Sequence, residues 1–298
     1  MKTERQQGQQ EKNDRPGAQE KQQRAGDQAA IRIGHFEYLN GYPLYYGLEK
    51  GEGWGCFELV HGVPTELNRL LLSGELDISP VSSIEYARHA DELLLFPKIS
   101  ISAEGAVDSI LLISNRRMDK VSSVAITGHS ATSVVLLKIL LKQKFGVEPE
   151  FVPLEGDFEE ALKVHDAVLL IGDRALKACY EGQWKWGYDL GAGWKDLTGL
   201  PMVFAVWAVR KPFFEERPEE TNEVQDRLIY SVEQCRENWD EVVEAAAGIY
   251  PFEAHVLRSY FDQLNYSFTD IYREGLMEFY KRAVEIGEIP AAPELKFI

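Results

Sequence analysis

The sequence predicts an α/β protein folded as a two-lobed clamshell. From Ile31 onward, apolar runs of strand length alternate with amphipathic helical stretches, the β-α-β pattern of a mostly parallel sheet. After Glu104 the alternation restarts, which divides the pattern into two units. The apolar run "VFAVWAVR" then carries the chain back, and from Thr221 onward the pattern is helical. In open α/β sheets, ligands sit outside the carboxyl ends of the strands, so two such units facing one another place a site in the cleft between them.

In order along the chain, "IRIGHFEYL" reads as the first strand. A short helix from about Pro43 to Lys50 follows, with proline in a first turn where its missing N–H is not needed. "CFELVHG" is a second strand. "PTELNRLLLSGEL" is a helix with Leu67, Leu70 and Leu71 on one face and a stop near Gly74. "LDISPVSS" gives a strand, "SIEYARHA" a helix, and "LLLFPKISIS" and "DSILLIS" two more strands. In the second unit "SSVAITG" is a strand, "SATSVVLLKILLKQKFG" a long helix, "DAVLLIGD" a buried strand and "DRALKACYEG" a helix. This predicts one lobe from residues 31–104 plus 212–298 and another from 105–211. Residues 1–30 hold eight Gln and almost no apolar side chain, and are expected to be a disordered tail.

Composition narrows the function. The 298 residues carry a formal net charge of -16 with no basic stripe, which argues against nucleic acid and anionic membranes as partners. Hydrophobic residues make up 45%, enough for a real core. No apolar run is long enough to span a membrane. The start lacks an apolar export signal, and Cys56, Cys179 and Cys235 form no CxxC pair, so a reducing cytoplasm is the expected location.

Four strand-to-helix loops carry small polar residues: Asn40-Gly41, Ser82-Ser83, "GHSATS" from Gly128 to Ser133, and Gly172-Asp173. Helix N-termini expose free N–H groups and partial positive charge, and hydroxyls or amides there can hold an anion. The same residue types are also the preferred helix caps. Asp173, itself negative, reads as a cap or as a polar group facing the other lobe. Of six histidines, only His129 adjoins a hydroxyl cluster. No HExxH, GxSxG, GxGxxG or Walker motif is present. "WKWGYDLGAGW" reads equally as the lining of an apolar pocket or as a surface turn with buried rings. The residues alone thus describe a binder of a small anion: a receptor, an effector-sensing module or an enzyme.

"GHFEYLNGYPLYYGL", "LLSGELDISPVSSIEY", "AVLLIGDRAL" and "WKDLTGLPMVFAVWAVR" resemble the chorismate dehydratase family of the futalosine route to menaquinone. The resemblance spans roughly residues 31–298. It implies a periplasmic-binding-protein-like (type II) fold and conversion of chorismate to 3-[(1-carboxyvinyl)oxy]benzoate plus water, a hydro-lyase reaction without cofactor or metal. It points to Asn40 and to Ser109, the latter on the hinge strand; by position, Asn40 would bond the substrate near the departing hydroxyl and Ser109 would hold a carboxylate or that hydroxyl. By position, Ser130, Thr132 and Ser133 would hold the other carboxylate, with Gly41, Ser82 and Ser83 as further substrate contacts. The sister 1,4-dihydroxy-6-naphthoate synthase is expected to carry a serine-proline-cysteine motif in the first loop, which this chain lacks. No general base stands out. His35 and Glu37 share one face of the first strand, and the substrate's own enolpyruvyl carboxylate is an alternative proton acceptor. A non-catalytic clamshell that binds a small anion is the competing reading.

Overall fold

The computed structural model describes residues 29–50, 57–128, 130–182 and 184–298, and side chains at 48–50 are not described. All but the last two residues of the Gln-rich tail, together with Cys56 and His129, lie outside the described residues.

The first unit opens with β1 (Ile31–His35), a short 3-10 turn (Leu39–Gly41) and α1 (Tyr42–Lys50). It continues through β2 (Phe57–His61), α2 (Pro64–Ser73), β3 (Ile78–Ser82), α3 (Ser83–Arg88) and β4 (Leu93–Ala103). The second comprises β5 (Ile110–Ser114), β6 (Ser123–Ile126), α4 (Ala131–Gln143), β7 (Glu150–Pro153), α5 (Phe158–Val164), β8 (Ala167–Ile171), α6 (Gly172–Glu181), β9 (Trp186–Asp189) and α7 (Leu190–Thr198). The chain closes with β10 (Met202–Arg210), α8 (Lys211–Glu216), α9 (Pro218–Glu237), α10 (Trp239–Ala247), α11 (Ala254–Gln263), β11 (Leu264–Ser267) and α12 (Asp270–Glu285).

Two sheets result, ordered β11-β4-β10-β3-β1-β2 and β7-β6-β8-β5-β9. Both are mixed rather than mostly parallel. β1 runs parallel to β2 and β3, and β6 to β7 and β8. β10 is antiparallel to β3 and β4, and β5 to β8 and β9. The reason is geometric. β5 and β10 are the strands by which the chain enters each unit from the other. They start at the cleft, where the parallel strands end, and so run the opposite way.

This pairing corrects the boundary expected at 211. Met202–Arg210 lies in the first sheet between β3 and β4, so the return crossing precedes Met202. A second difference is β11, a strand inside the region expected to be all helical, which pairs with the outer edge of β4. Neither is visible in local periodicity, because each depends on a partner strand distant in sequence.

The core of the first sheet is aromatic and aliphatic. Phe96 and Trp207 are fully buried and stack with centroids 6.4 Å apart. In "WKWGYDLGAGW", Trp186 is exposed on β9 while Trp194 is buried and donates its indole N–H to Pro201 O at 3.1 Å. Neither ring lines the cleft cavity described below. No helix among the described residues is long and apolar enough to cross a membrane.

Candidate active site

A cavity partly open to solvent lies where the carboxyl ends of both sets of parallel strands meet. Its walls come from the loop after β1 (Phe36, Tyr38, Asn40), the end of β3 (Pro80, Val81, Ser82) and the start of α2 (Pro64). Ile101 of β4, Phe204 and Ala205 of β10, Ser109 and Ile110 at the start of β5, Ser130 and Ser133 of α4, and Ile171 and Gly172 complete it. Five of the eight expected site residues thus meet in one cavity: Asn40, Ser82, Ser109, Ser130 and Ser133.

The other three expected residues do not line it. Gly41 lies against Phe36, where an added Cβ would stand 2.6 Å from the ring, so a larger residue would require the buried ring to shift. Ser83 is fully buried; its hydroxyl donates to Val203 O at 2.7 Å and its carbonyl accepts from Tyr280 at 2.8 Å. Thr132 Oγ1 accepts from Ile84 N at 3.1 Å, tying the start of α4 to the start of α3 across the two units. Each neighbours a cavity residue in sequence, but its own side chain, or for Gly41 its lack of one, serves the fold.

Asn40 sits in the 3-10 turn closed by Gly41 N to Tyr38 O at 2.9 Å. Two distant groups hold that turn. Tyr266 donates to Asn40 O at 2.9 Å, and Asp173 Oδ1 accepts from Leu39 N at 3.2 Å. Asp173 therefore does face the other unit. Gly172, at φ 60, lets the start of α6 pass close to Tyr38, whose ring would stand 3.1 Å from an added Cβ. Asn40 Oδ1 is buried and has no hydrogen-bond partner among the described residues. Buried polar atoms are normally hydrogen-bonded, and of those without a described partner this is the one on a cavity residue.

Ser109 follows a tight turn in which Ser109 N reaches Val107 O at 2.6 Å and Asp108 takes φ 56, unusual for a residue with a side chain. Asp189 Oδ2 accepts from Val107 N at 3.0 Å and Asp108 N at 2.7 Å, and its Oδ1 caps α7 through Ala192 N at 2.8 Å. Gln263 donates to Asp108 Oδ2 at 2.7 Å. Ser109 O accepts from Gly172 N at 2.8 Å, and Ser109 Oγ accepts from Tyr260 at 2.8 Å.

Ser130 caps α4, accepting from Ser133 N at 3.3 Å, and the two hydroxyls lie 2.9 Å apart. Ser82 stands at the start of α3 without making a cap bond, leaving its hydroxyl to the cavity. Capping and ligand contact are therefore compatible at Ser130.

No Asp, Glu, His, Lys or Arg is among the described residues that line the cavity. Its polarity is that of hydroxyls, an amide and backbone dipoles. Burial holds the Asp173 carboxyl above its ordinary range, against the Leu39 N–H that favours its anion. Burial, then the Asp173 charge, pushes the Tyr38 phenol up. His35 and Glu37 do not line the cavity, while the alternate residues Phe36 and Tyr38 do. Burial, then the neighbouring His61, lowers His35 to about 4, which makes it a neutral and weak base. Among the described residues no group of three or more His, Cys, Asp or Glu is placed to hold a metal ion.

Sequence reasoning missed the aromatic wall and the tyrosines behind the polar groups. The alternation in "HFEYLN" would have found Phe36 and Tyr38. Nothing local marks Tyr260 and Tyr266, which lie 151 and 226 residues from the groups they touch.

Comparison with known proteins agrees with this architecture. The model of the menaquinone biosynthesis family matches residues 31–285. A chorismate dehydratase from Thermus thermophilus is 37% identical over 283 residues, covering 88% of this chain and 96% of that one. A chorismate dehydratase from Campylobacter jejuni is 34% identical over 177 residues, 58% of this chain and 65% of that one. Among solved structures, the periplasmic aliphatic sulphonate binding protein SsuA from Escherichia coli superposes with a TM-score of 0.64 at 17% identity, covering 91% of this chain and 96% of that one. The fold is therefore that of the periplasmic binding proteins, and the chain belongs to the menaquinone biosynthesis family.

Proposed function

We infer that this chain is a chorismate dehydratase, a hydro-lyase that converts chorismate to 3-[(1-carboxyvinyl)oxy]benzoate and water. The observation that carries the reading into the cavity is the buried Asn40 amide oxygen, without a partner among the described residues, in the same cleft as Ser109, whose described lining residues are uncharged. The extent of similarity to the Thermus dehydratase supports the same conclusion.

The reaction suits neutral dipoles. The ring carboxylate of chorismate is conjugated with the diene and acidifies the hydrogen on the carbon that bears the enolpyruvyl ether. Loss of that proton turns the C–H pair into a ring π bond. The neighbouring C–O bond breaks, and the departing hydroxyl takes a proton and leaves as water. Aromatisation drives the step, so the protein has mainly to orient the ring and stabilise charge on the ring carboxylate. Asn40 would hold the departing hydroxyl, whose O–H can satisfy the amide oxygen. Ser130 and Ser133, at the start of a thirteen-residue helix, would hold one carboxylate with the helix N–H groups behind them. Ser82 and Ser109 would complete the contacts.

A proton acceptor from the protein is not among the described lining residues, which supports the enolpyruvyl carboxylate of the substrate as the base. An analogue without that carboxylate should then bind and not react. Dehydration of the analogue at the normal rate would defeat this part of the mechanism. A cytoplasmic site of action fits a sequence whose three cysteines, Cys56, Cys179 and Cys235, form no CxxC pair.

The deciding experiment mixes purified protein with chorismate in the absence of metal and nucleotide. Loss of diene absorbance and a product lighter by one water, with aromatic ring protons, is the expected result. Chorismate that binds and returns unchanged would make the cleft a receptor site instead.

A further inference from the structure

Behind Ser109 stands Tyr260, on α11, with 1% of its surface exposed. Its phenol lies 2.8 Å from Ser109 Oγ, and among the described residues neither hydroxyl has another hydrogen-bond partner. We propose that Tyr260 is a positioning residue that makes Ser109 an obligate hydrogen-bond donor to the substrate. The proposal rests on the dehydratase reading of the cavity.

The direction of the bond follows from where each proton can go. If Ser109 donated to Tyr260, the phenolic proton would be left buried with no acceptor, at the full cost of its desolvation. If Tyr260 donates, one lone pair of Ser109 is used and the serine proton is directed to the cavity that Ser109 lines. A bound oxygen acceptor then satisfies it. Accepting one hydrogen bond also strengthens a hydroxyl as a donor. Burial, and beyond it the charges of Asp173, Asp108 and Asp189, keep the phenol protonated against the favourable effect of Ser109. The turn before Ser109, with Asp108 at positive φ and Asp189 bound to two of its N–H groups, fixes the backbone and leaves the side-chain and hydroxyl torsions of Ser109 as the remaining freedom. The bond from Tyr260 restrains both. The ligand atom that receives the Ser109 proton is an acceptor: a carboxylate oxygen or the oxygen of the departing hydroxyl.

A double-mutant cycle tests this. Tyr260→Phe keeps the ring and removes the donor; Ser109→Ala removes the group it acts through. In the Ser109 background, Tyr260→Phe should lower kcat/KM for chorismate about tenfold and weaken binding of 3-[(1-carboxyvinyl)oxy]benzoate by a similar factor. In the Ser109→Ala background the same change should have almost no effect. Equal losses in both backgrounds, or no loss in the first, would overturn the proposal. Should wild-type protein fail to dehydrate chorismate, the dehydratase reading falls, and the same cycle measured on chorismate Kd still decides the role of Tyr260. If Tyr260→Phe does not fold, a crystal structure of the wild type with the product decides. Ser109 Oγ about 2.8 Å from both Tyr260 and a product oxygen supports the proposal, and a serine rotated away from Tyr260 refutes it.

Discussion

The two ends of the first sheet treat charge in opposite ways. At the end away from the cleft, Asp77 is buried just before β3 and is fully occupied. Arg32 reaches it with Nη2 at 2.6 Å, Nε at 3.1 Å and backbone N at 2.9 Å, and Arg210 adds Nη2 at 3.4 Å. Burial alone would raise the Asp77 carboxyl, but the Arg32 donors hold it below its ordinary value. At the cleft end of the same strands, the described lining residues are uncharged and Asn40 Oδ1 has no partner among the described residues. Charge that is complete within the protein holds β1, β3 and β10 together. Polarity that is incomplete without a ligand marks the site. A dianionic substrate would supply the missing charge itself, and neutral donors can follow that charge as it shifts during reaction.

The largest test of this contrast is Asp77→Ala. Removing the shared acceptor leaves both arginines without this carboxylate and should cost about 3 kcal/mol in urea unfolding, discounted for the partial exposure of Arg32. Turnover per folded molecule should be unchanged. A loss under about 1 kcal/mol would reduce the cluster to an ordinary surface pair and remove half of the comparison. At the other end, Asn40→Ala should lower kcat by about 10²-fold while the melting temperature stays near that of wild type. Unchanged turnover would take Asn40 out of the chemistry. Ser130→Ala should raise KM about tenfold with kcat nearly constant, beside about 1 kcal/mol of lost capping. Equal KM values would return Ser130 to capping alone.

The smallest expected effect concerns pH. His35 titrates near 4 in the folded protein, against an ordinary value of 6.5 in the unfolded chain. As pH falls below 6.5 the unfolded chain takes up the proton first, so the contribution of neutral His35 to stability is complete above 6.5 and is lost progressively toward 4. Melting temperatures at pH 7 and pH 5 should differ more in wild type than in His35→Gln. An identical difference in both would assign the acid sensitivity to other groups.

Much of the candidate site was legible because it is local. Asn40, Ser82 and Ser130 each stand between a strand and a helix, and that position alone puts them at the cleft end of a sheet. Next-door residues of the same type were not separable. Ser83 points into the fold beside Ser82, and Thr132 bonds Ile84 between Ser130 and Ser133. One residue along a helix start turns a side chain by about 100°. Which direction is the cavity depends on what packs against the helix.

The sequence by itself determined the alternation of strands and helices, the two units, the excess of negative charge and, through its motifs, the family. These follow from periodicity and residue type, which act between neighbours in the chain. Only the tertiary structure decided that β10 belongs to the first sheet, that β11 edges it, and that Tyr260 and Tyr266 stand behind Ser109 and Asn40. Those bonds join residues far apart in sequence, and their geometry exists only once both units are packed together.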